Sequence, residues 1–312
     1  MTKGKVLIAA PVHPVLTDGL TAEGYECVIA EKIQQSTAPA LLHDCVGVIT
    51  STRLQLDKAL IDSAPHLQWI GRMGSGMEVI DTVYAAEKGI ACYSSPEGNS
   101  NAVGEFALGI LLSLIRKIGV SSREVEQGIW LREENRGIEL EGKTIGIIGY
   151  GHTGKAFVKK LSGFDVNILV YDKYIEASTT DPQVTVCPDL TRIYNEADIV
   201  SFHVPLQNDT VYYVNEKFIH SMTRGFILLN TSRGIVVNTK DLWNGLLSGK
   251  IRGACLDVWE QEPIEKMDAE IRNLLSQISS LPQVIVTPHI AGYSVEALYK
   301  MSKTLYIKIT NG

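Results

Sequence analysis

Long apolar runs are missing from this chain. The longest, Phe106 to Ile115, falls far short of the roughly 20 residues that a helix needs to cross a bilayer, so no helical membrane span and no membrane partner is expected. A secretory core is missing as well. Met1-Thr2-Lys3-Gly4-Lys5 leads directly into a strand-like segment, which points to the cytoplasm. The five cysteines, at 27, 45, 92, 187 and 255, show no paired spacing and encode neither a disulfide framework nor a zinc site. They read as small buried apolar residues, and no metal is expected. Positive charge is not in surplus either: the net charge is -6 with no dense basic stripe, which argues against a nucleic-acid partner. No low-complexity segment interrupts the chain. With 45% hydrophobic and 21% charged residues the composition is that of an ordinary globular protein, and 312 residues exceed what one compact core usually holds.

What is present is a rhythm of short, β-branched apolar runs separated by amphipathic stretches. In the first third these are Val6–Ala9, Cys27–Ala30, Val46–Ile49, Leu67–Ile70 and Ile90–Tyr93. Nearly continuous apolar strands alternating with helices imply a parallel sheet covered on both faces. A long helical pattern from about Asn101 to Gln127 bridges to a second series: Thr144–Ile148, Ile168–Tyr171, Asp198–Phe202, Phe226–Leu229, Gly253–Asp257 and Val284–Val286. Six strands with intervening helices match a doubly wound dinucleotide fold. Ser294 to Ile309 reads as a final helix. The expectation is an α/β protein of two doubly wound parallel-sheet domains: a flavodoxin-like substrate domain over residues 1–100 plus 290–312, and a Rossmann NAD-binding domain over 101–289.

Gly149-Tyr150-Gly151-His152-Thr153-Gly154 lies directly between a strand and a helix-like run. The first glycine permits the tight turn, the second lets the backbone approach a pyrophosphate, and the third lets helix and strand pack closely. Phosphate then meets the free N–H groups and dipole of a helix N-terminus. The next strand ends in Asp172, at about the twenty-residue separation where an acid accepts hydrogen bonds from the ribose hydroxyls. A carboxylate there repels the 2′-phosphate of NADP, so the expected cofactor is NAD, with Lys173 as a feature that softens the discrimination.

Three ionisable residues follow strands of the second series: Arg233 in Asn230-Thr231-Ser232-Arg233-Gly234, Glu262 in Asp257-Val258-Trp259-Glu260-Gln261-Glu262-Pro263, and His289 in Thr287-Pro288-His289-Ile290-Ala291-Gly292. Positions just beyond strand C-termini converge on the ligand crevice of a doubly wound sheet. Hydride exchange between an alcohol and nicotinamide requires a proton carrier at the hydroxyl and a cation for the acid group. Taken singly, the three have ordinary readings as a core histidine, an exposed acid and a surface arginine. Together they supply the chemistry.

With those segments in view, the chain resembles the D-isomer specific 2-hydroxyacid dehydrogenase family over nearly its whole length, and within it most resembles the phosphoglycerate-oxidising members. The resemblance is carried by Gly71-Arg72-Met73-Gly74-Ser75-Gly76, Gly98 to Glu105, the glycine motif, His203-Val204-Pro205-Leu206 with Thr210, and the three catalytic segments. It implies that His289 is the general acid/base and Glu262 its carboxylate partner, which fixes the imidazole and favours its protonated form. It implies that Arg233 holds the substrate carboxylate with its planar fork, and that backbone N–H groups near Ser75 and Gly76 bind the same group. Cofactor contacts are implied at Gly149, Gly151, His152, Thr153, Gly154, Asp172, His203, Pro205, Thr210, Thr231, Asp257 and Gly292, with Asp257 near the nicotinamide carboxamide.

For a phosphorylated substrate the resemblance places cations at Arg72 and Arg132. It departs from the family at Ser51, where such members carry another arginine, although Arg53 is near in sequence. Met77-Glu78-Val79-Ile80-Asp81 also departs, where the family more often has Asp-Asn. No regulatory domain follows within the 312 residues, so serine feedback through one is not expected. The partner implied is a small-molecule 2-hydroxy or 2-keto acid, with glyoxylate or hydroxypyruvate as the alternative to phosphoglycerate. An NAD-responsive corepressor is the alternative of another class, disfavoured by the absence of a strong basic patch. The bridging helical region is where the family dimerises, so a homodimer is expected.

Overall fold

The computed structural model describes residues 3–175 and 183–311. Met1, Thr2 and Gly312, which belong to the expected N-terminal reading and domain bounds, and residues 176–182 lie outside them. The chain divides into two compact units, Met1–Ala102 with Gly292–Gly312, and Val103–Ala291.

The first unit holds β1 (Gly4–Ile8), α1 (Pro14–Ala22), β2 (Tyr25–Ile29), α2 (Ala38–Leu42), β3 (Cys45–Thr50), α3 (Lys58–Asp62), β4 (Trp69–Arg72), α4 (Thr82–Glu87) and β5 (Ala91–Ser94). The sheet is parallel in the order β2-β1-β3-β4-β5, the flavodoxin-like arrangement expected from the five apolar runs. Because β1 and β3 alternate direction at every residue, Leu7 and Val48 feed one apolar cluster with Leu42, Leu60 and Ala85, whereas Val6, Ile8 and Ile49 feed another with Leu16 and Leu20. The second cluster is completed by Leu305 and Ile309 of the C-terminal helix, so the chain returns to the unit in which it began. Each such fully buried side chain contributes about 1.5–3 kcal/mol. Asp57 and Asp81 cap α3 and α4 by accepting from the N–H groups of Leu60 (2.9 Å) and Tyr84 (3.0 Å), which starts each helix where the sequence turns away from the sheet.

The second unit begins within α5 (Pro96–Ile115) and continues with α6 (Ile118–Glu126), β6 (Thr144–Ile148), α7 (His152–Leu161), β7 (Asn167–Tyr171), β8 (Val184–Val186), α8 (Thr191–Glu196), β9 (Ile199–Phe202), α9 (Glu216–Ser221), β10 (Phe226–Asn230), α10 (Thr239–Leu247), β11 (Ile251–Leu256), α11 (Ala269–Ser279) and β12 (Val284–Val286); α12 (Val295–Asn311) closes the chain in the first unit. Seven parallel strands run in the order β12-β11-β10-β9-β6-β7-β8, with the order reversing at β6, as in a doubly wound dinucleotide fold. The strand beyond the six expected is β8, whose three residues Val184-Thr185-Val186 are too few to register as an apolar run and pair only on the sheet edge with β7. The bridging helical stretch is also two helices rather than one. Lys117 adopts a left-handed backbone (φ 54°) that breaks the path between α5 and α6, and no proline marks the break in the sequence.

Candidate active site

β6 ends at Ile148 and the chain turns through Gly149 into α7. Gly149 has φ 91°, and a Cβ there would stand 2.5 Å from the carbonyl oxygen of His203. A Cβ at Gly154 would stand 2.2 Å from the carbonyl oxygen of Gly149, so turn and helix pack backbone against backbone. Gly151, the N-cap of α7, differs: a Cβ there would meet no heavy atom within 4 Å. No described residue demands glycine at that point, whereas phosphate oxygens approaching the helix N-terminus would. His152 and Thr153 form the first residues of the helix, the former exposed and the latter half-buried.

Asp172 follows β7. Its Oδ2 accepts from the Tyr150 N–H (2.7 Å) and its Oδ1 from the Tyr174 N–H (2.9 Å), which orients the carboxylate at the glycine turn while leaving lone pairs for ribose hydroxyls. Lys173 is turned elsewhere: its ammonium donates to Gln207 Oε1 (3.1 Å) and pairs with Asp209. That hydrogen-bonded pairing holds the lysine above its ordinary pKa and the aspartate below its own.

His203, just past β9, is buried, and burial depresses its pKa from the ordinary 6.5 to about 3, so the ring is neutral. Its Nε2 meets the Ser201 hydroxyl at 2.8 Å. In the loop that follows, Pro205 is exposed, and the buried Thr210 hydroxyl donates to the Pro205 carbonyl (2.8 Å) and accepts from the Gln207 N–H (2.8 Å). Thr210 therefore closes this loop on itself. Thr231 Oγ1 and His203 Nδ1, each just beyond a strand C-terminus, are buried without a hydrogen-bond partner among the described residues. A hydroxyl orphaned at that edge is the kind of group that a bound dinucleotide satisfies, and together with the opening at Gly151 and the oriented Asp172 it makes the residues present fit NAD.

The catalytic segments come together on the same edge. Glu262 Oε2 lies 2.7 Å from His289 Nδ1, while its Oε1 accepts from the Trp259 N–H at 2.7 Å, so one carboxylate is held by its own loop and grips the imidazole. The pair is partly open to solvent, with 46% of the His289 side chain and 34% of the Glu262 side chain exposed. The contact engages Nδ1, so Nε2 is the ring nitrogen that the carboxylate does not take. His289 has a left-handed backbone (φ 56°), stabilised from beneath by Asp257. The buried Asp257 carboxylate accepts from Thr287 Oγ1 (2.6 Å), Ile290 N–H (2.9 Å) and Ala291 N–H (2.7 Å), and its backbone carbonyl accepts from the His289 N–H (2.7 Å). Arg233 sits in the adjoining loop, half-buried, with Nη1 donating to the Ser232 carbonyl at 2.7 Å. A Cβ on its neighbour Gly234 would stand 1.7 Å from the Trp259 carbonyl oxygen, so the arginine loop rests directly on the loop that carries Glu262.

Several supporting residues escaped the sequence reading. Asn230, fully buried, donates to the Arg233 carbonyl (2.9 Å) and accepts from the Ser232 N–H (3.0 Å); its place as an Asx-turn former at a strand end was the available signal. Glu260 accepts from Tyr212 Oη (2.7 Å) and the Thr239 N–H (2.9 Å), tying the Glu262 loop to the start of α10, and nothing local in the sequence marks it. Ser95, buried in the first unit, accepts from the Gly74 N–H (3.0 Å) and shapes the turn that contains Ser75 and Gly76, both half-buried. Arg72 in that turn donates from Nη1 to the Met73 carbonyl, and Gly292 packs on Asn99 within the same unit. Arg132 is exposed in the segment after α6. Among the described residues no cluster of metal-ligating side chains occurs.

A doubly wound sheet with an open glycine turn, an acid oriented at that turn and an imidazole–carboxylate pair defines a dinucleotide-binding α/β protein. The profile of the D-isomer specific 2-hydroxyacid dehydrogenase NAD binding domain matches residues 108–291, and the chain belongs to that family. It is 32% identical over 302 residues to a D-3-phosphoglycerate dehydrogenase of Methanocaldococcus jannaschii, covering 96% of this chain but 56% of that one. It is 31% identical over 309 residues to a hydroxypyruvate reductase of Thermotoga maritima, covering 99% and 98%. The chain thus spans little more than half of the phosphoglycerate dehydrogenase, as it does of the one from Archaeoglobus fulgidus (57%). Among solved structures, an NADPH-dependent glyoxylate/hydroxypyruvate reductase of Sinorhizobium meliloti in complex with NADP and malonate superimposes with a TM-score of 0.83 at 27% identity, over 99% of this chain and 93% of that one.

Proposed function

We propose that this protein is an NAD-dependent oxidoreductase that moves hydride between the nicotinamide and a small D-2-hydroxy or 2-keto acid. The observation that carries the reading is the 2.7 Å contact between His289 Nδ1 and Glu262 Oε2 at the C-terminal edge of the dinucleotide-binding sheet. Bound nicotinamide supplies the hydride. His289 delivers a proton from Nε2 to the keto oxygen as that oxygen gains negative charge, and retrieves it in the oxidative direction. Glu262 fixes the tautomer and orientation of the ring, while Arg233 orients the substrate carboxylate. Asp172 favours NAD over NADP, and Lys173, engaged with Asp209, leaves that preference in force.

Two substrates are in contention. Phosphoglycerate is supported by the pattern shared with phosphoglycerate-oxidising members and would place the protein in serine biosynthesis. An unphosphorylated acid such as hydroxypyruvate or glyoxylate is supported by three features: serine at position 51, the bond of Arg72 to its own turn, and the exposed position of Arg132. The assignment of Arg72, Ser75, Gly76 and Arg132 to substrate rests on the family resemblance. A homodimer is supported by a run of exposed apolar side chains on and after α6, among them Ile118, Val125, Trp130 and Ile138, with Trp130 75% exposed. Cytoplasmic residence is in keeping with five free cysteines.

Purified protein assayed with NADH against hydroxypyruvate, glyoxylate and 3-phosphohydroxypyruvate tests the function. Turnover abolished by His289→Gln is the expected result. Saturable NADH binding with no turnover on any 2-keto acid would overturn the enzymatic reading in favour of an NAD-responsive binding protein.

A further inference from the structure

The catalytic turn is held by a residue to which the functional reading gives no role. Resting on that reading, we propose that Thr287 is a positioning residue for the proton carrier, acting through Asp257. His289 occupies a left-handed backbone conformation that costs an ordinary side chain free energy and persists only where the surroundings over-determine it. Four hydrogen bonds of this turn converge on Asp257, and they bracket the histidine. The Thr287 hydroxyl reaches Oδ1 from one side, the Ile290 and Ala291 N–H groups reach the two oxygens from the other, and the His289 N–H meets the Asp257 carbonyl. Asp257 is 1% exposed, so these bonds form away from competing water.

The arrangement separates two functions of the carboxylate. Three of its lone-pair positions are occupied by the 287–291 turn, so its chief duty is to clamp that turn, beyond any contact with the cofactor. The two backbone donors cannot be removed by substitution of their side chains, whereas the Thr287 hydroxyl can. Its 2.6 Å bond is the shortest of the three to this carboxylate and lies two residues before the imidazole. Without it, Asp257 keeps only the bonds from Ile290 and Ala291 on the far side of the histidine, and the His289 ring is held less firmly in its approach to both Glu262 and the substrate.

Thr287→Val keeps the β-branched shape and deletes only the hydroxyl; Thr287→Ser restores a hydroxyl. In turnover assays the valine variant is expected to lower kcat by about ten- to a hundredfold, the order of loss that a small misplacement of a catalytic group produces. NADH affinity by fluorescence titration stays near wild type, the melting temperature falls by a few degrees as loss of a buried bond to a carboxylate requires, and Thr287→Ser recovers most of the rate and of the stability. Independently of turnover, the His289 signal of isotope-labelled histidine, identified by its loss in His289→Gln, is expected to shift in Thr287→Val and return in Thr287→Ser. A valine variant with wild-type kcat, or with NADH affinity lost in the same proportion as kcat, overturns the proposal. So does an unmoved His289 signal, which decides the matter even if the wild-type protein turns over none of the acids supplied.

Discussion

The pH dependence of stability follows from one buried ring. His203 is buried under the glycine turn with a pKa depressed to about 3 against an ordinary 6.5, because burial penalises its charged form. Folded protein keeps the ring neutral down to strongly acid pH, while the unfolded chain takes up a proton below 6.5. The unfolded state therefore binds more protons between the two values. Stability from this group is fully present above pH 6.5 and is lost as pH falls through the window toward 3. With each unit of difference amounting to about 1.4 kcal/mol, the loss between pH 7 and pH 5 is about 2 kcal/mol. That is a large share of a typical folding free energy of about 5–15 kcal/mol, and for a unit of this size lowers the melting temperature by about 4–8 °C. The perturbation is His203→Gln, which keeps a hydrogen-bonding group for Ser201 and cannot titrate. Trp130, Trp243 and Trp259 lie in the second unit and only Trp69 in the first, so tryptophan fluorescence during urea unfolding reports mainly on the unit that contains His203. The other histidines contribute equally to both proteins, which makes the difference between the two slopes the quantity to read. Equal slopes for variant and wild type between pH 7 and 5 would refute the argument.

The glycines of the turn separate by mechanism. Gly151→Ala is expected to weaken NADH binding by tenfold or more while leaving the melting temperature nearly unchanged, whereas Gly154→Ala, with a Cβ 2.2 Å from a carbonyl oxygen, destabilises the fold itself; equal thermal losses in both would contradict this. Glu262→Gln is expected to lower kcat by about a hundredfold with little change in NADH affinity, and a variant with undiminished turnover would show that the His289 contact is ornamental. Asp172→Ala should raise the NADPH-to-NADH ratio of kcat/KM, checked by parallel titration of the two cofactors, with an unaltered ratio counting against a ribose role. Trp130→Ser combined with Ile118→Ser should shift the protein from dimer to monomer in light scattering, and a dimer that survives both moves the interface elsewhere.

The order of elements and the identity of the dinucleotide fold were legible in the chain because they depend on local signals: short, nearly continuous apolar runs, a glycine turn at a strand end, and an acid about twenty residues beyond. The same holds for the imidazole, carboxylate and guanidinium, each placed after a strand and hence on the ligand edge of the sheet. Local pattern fails where a residue's state depends on distant atoms. No proline near Lys117 announces a helix break, Val184-Thr185-Val186 becomes a strand only because β7 offers a free edge, and Lys173 is drawn off by Asp209 from another loop. The imidazole, carboxylate and guanidinium proposed for catalysis could be named from sequence. How His289 is held, by a carboxylate from the end of β11 and a hydroxyl from the end of β12, was decided by tertiary structure, since hydrogen bonds join groups that are near in space and only parallel pairing of those two strands brings Asp257 beside Thr287.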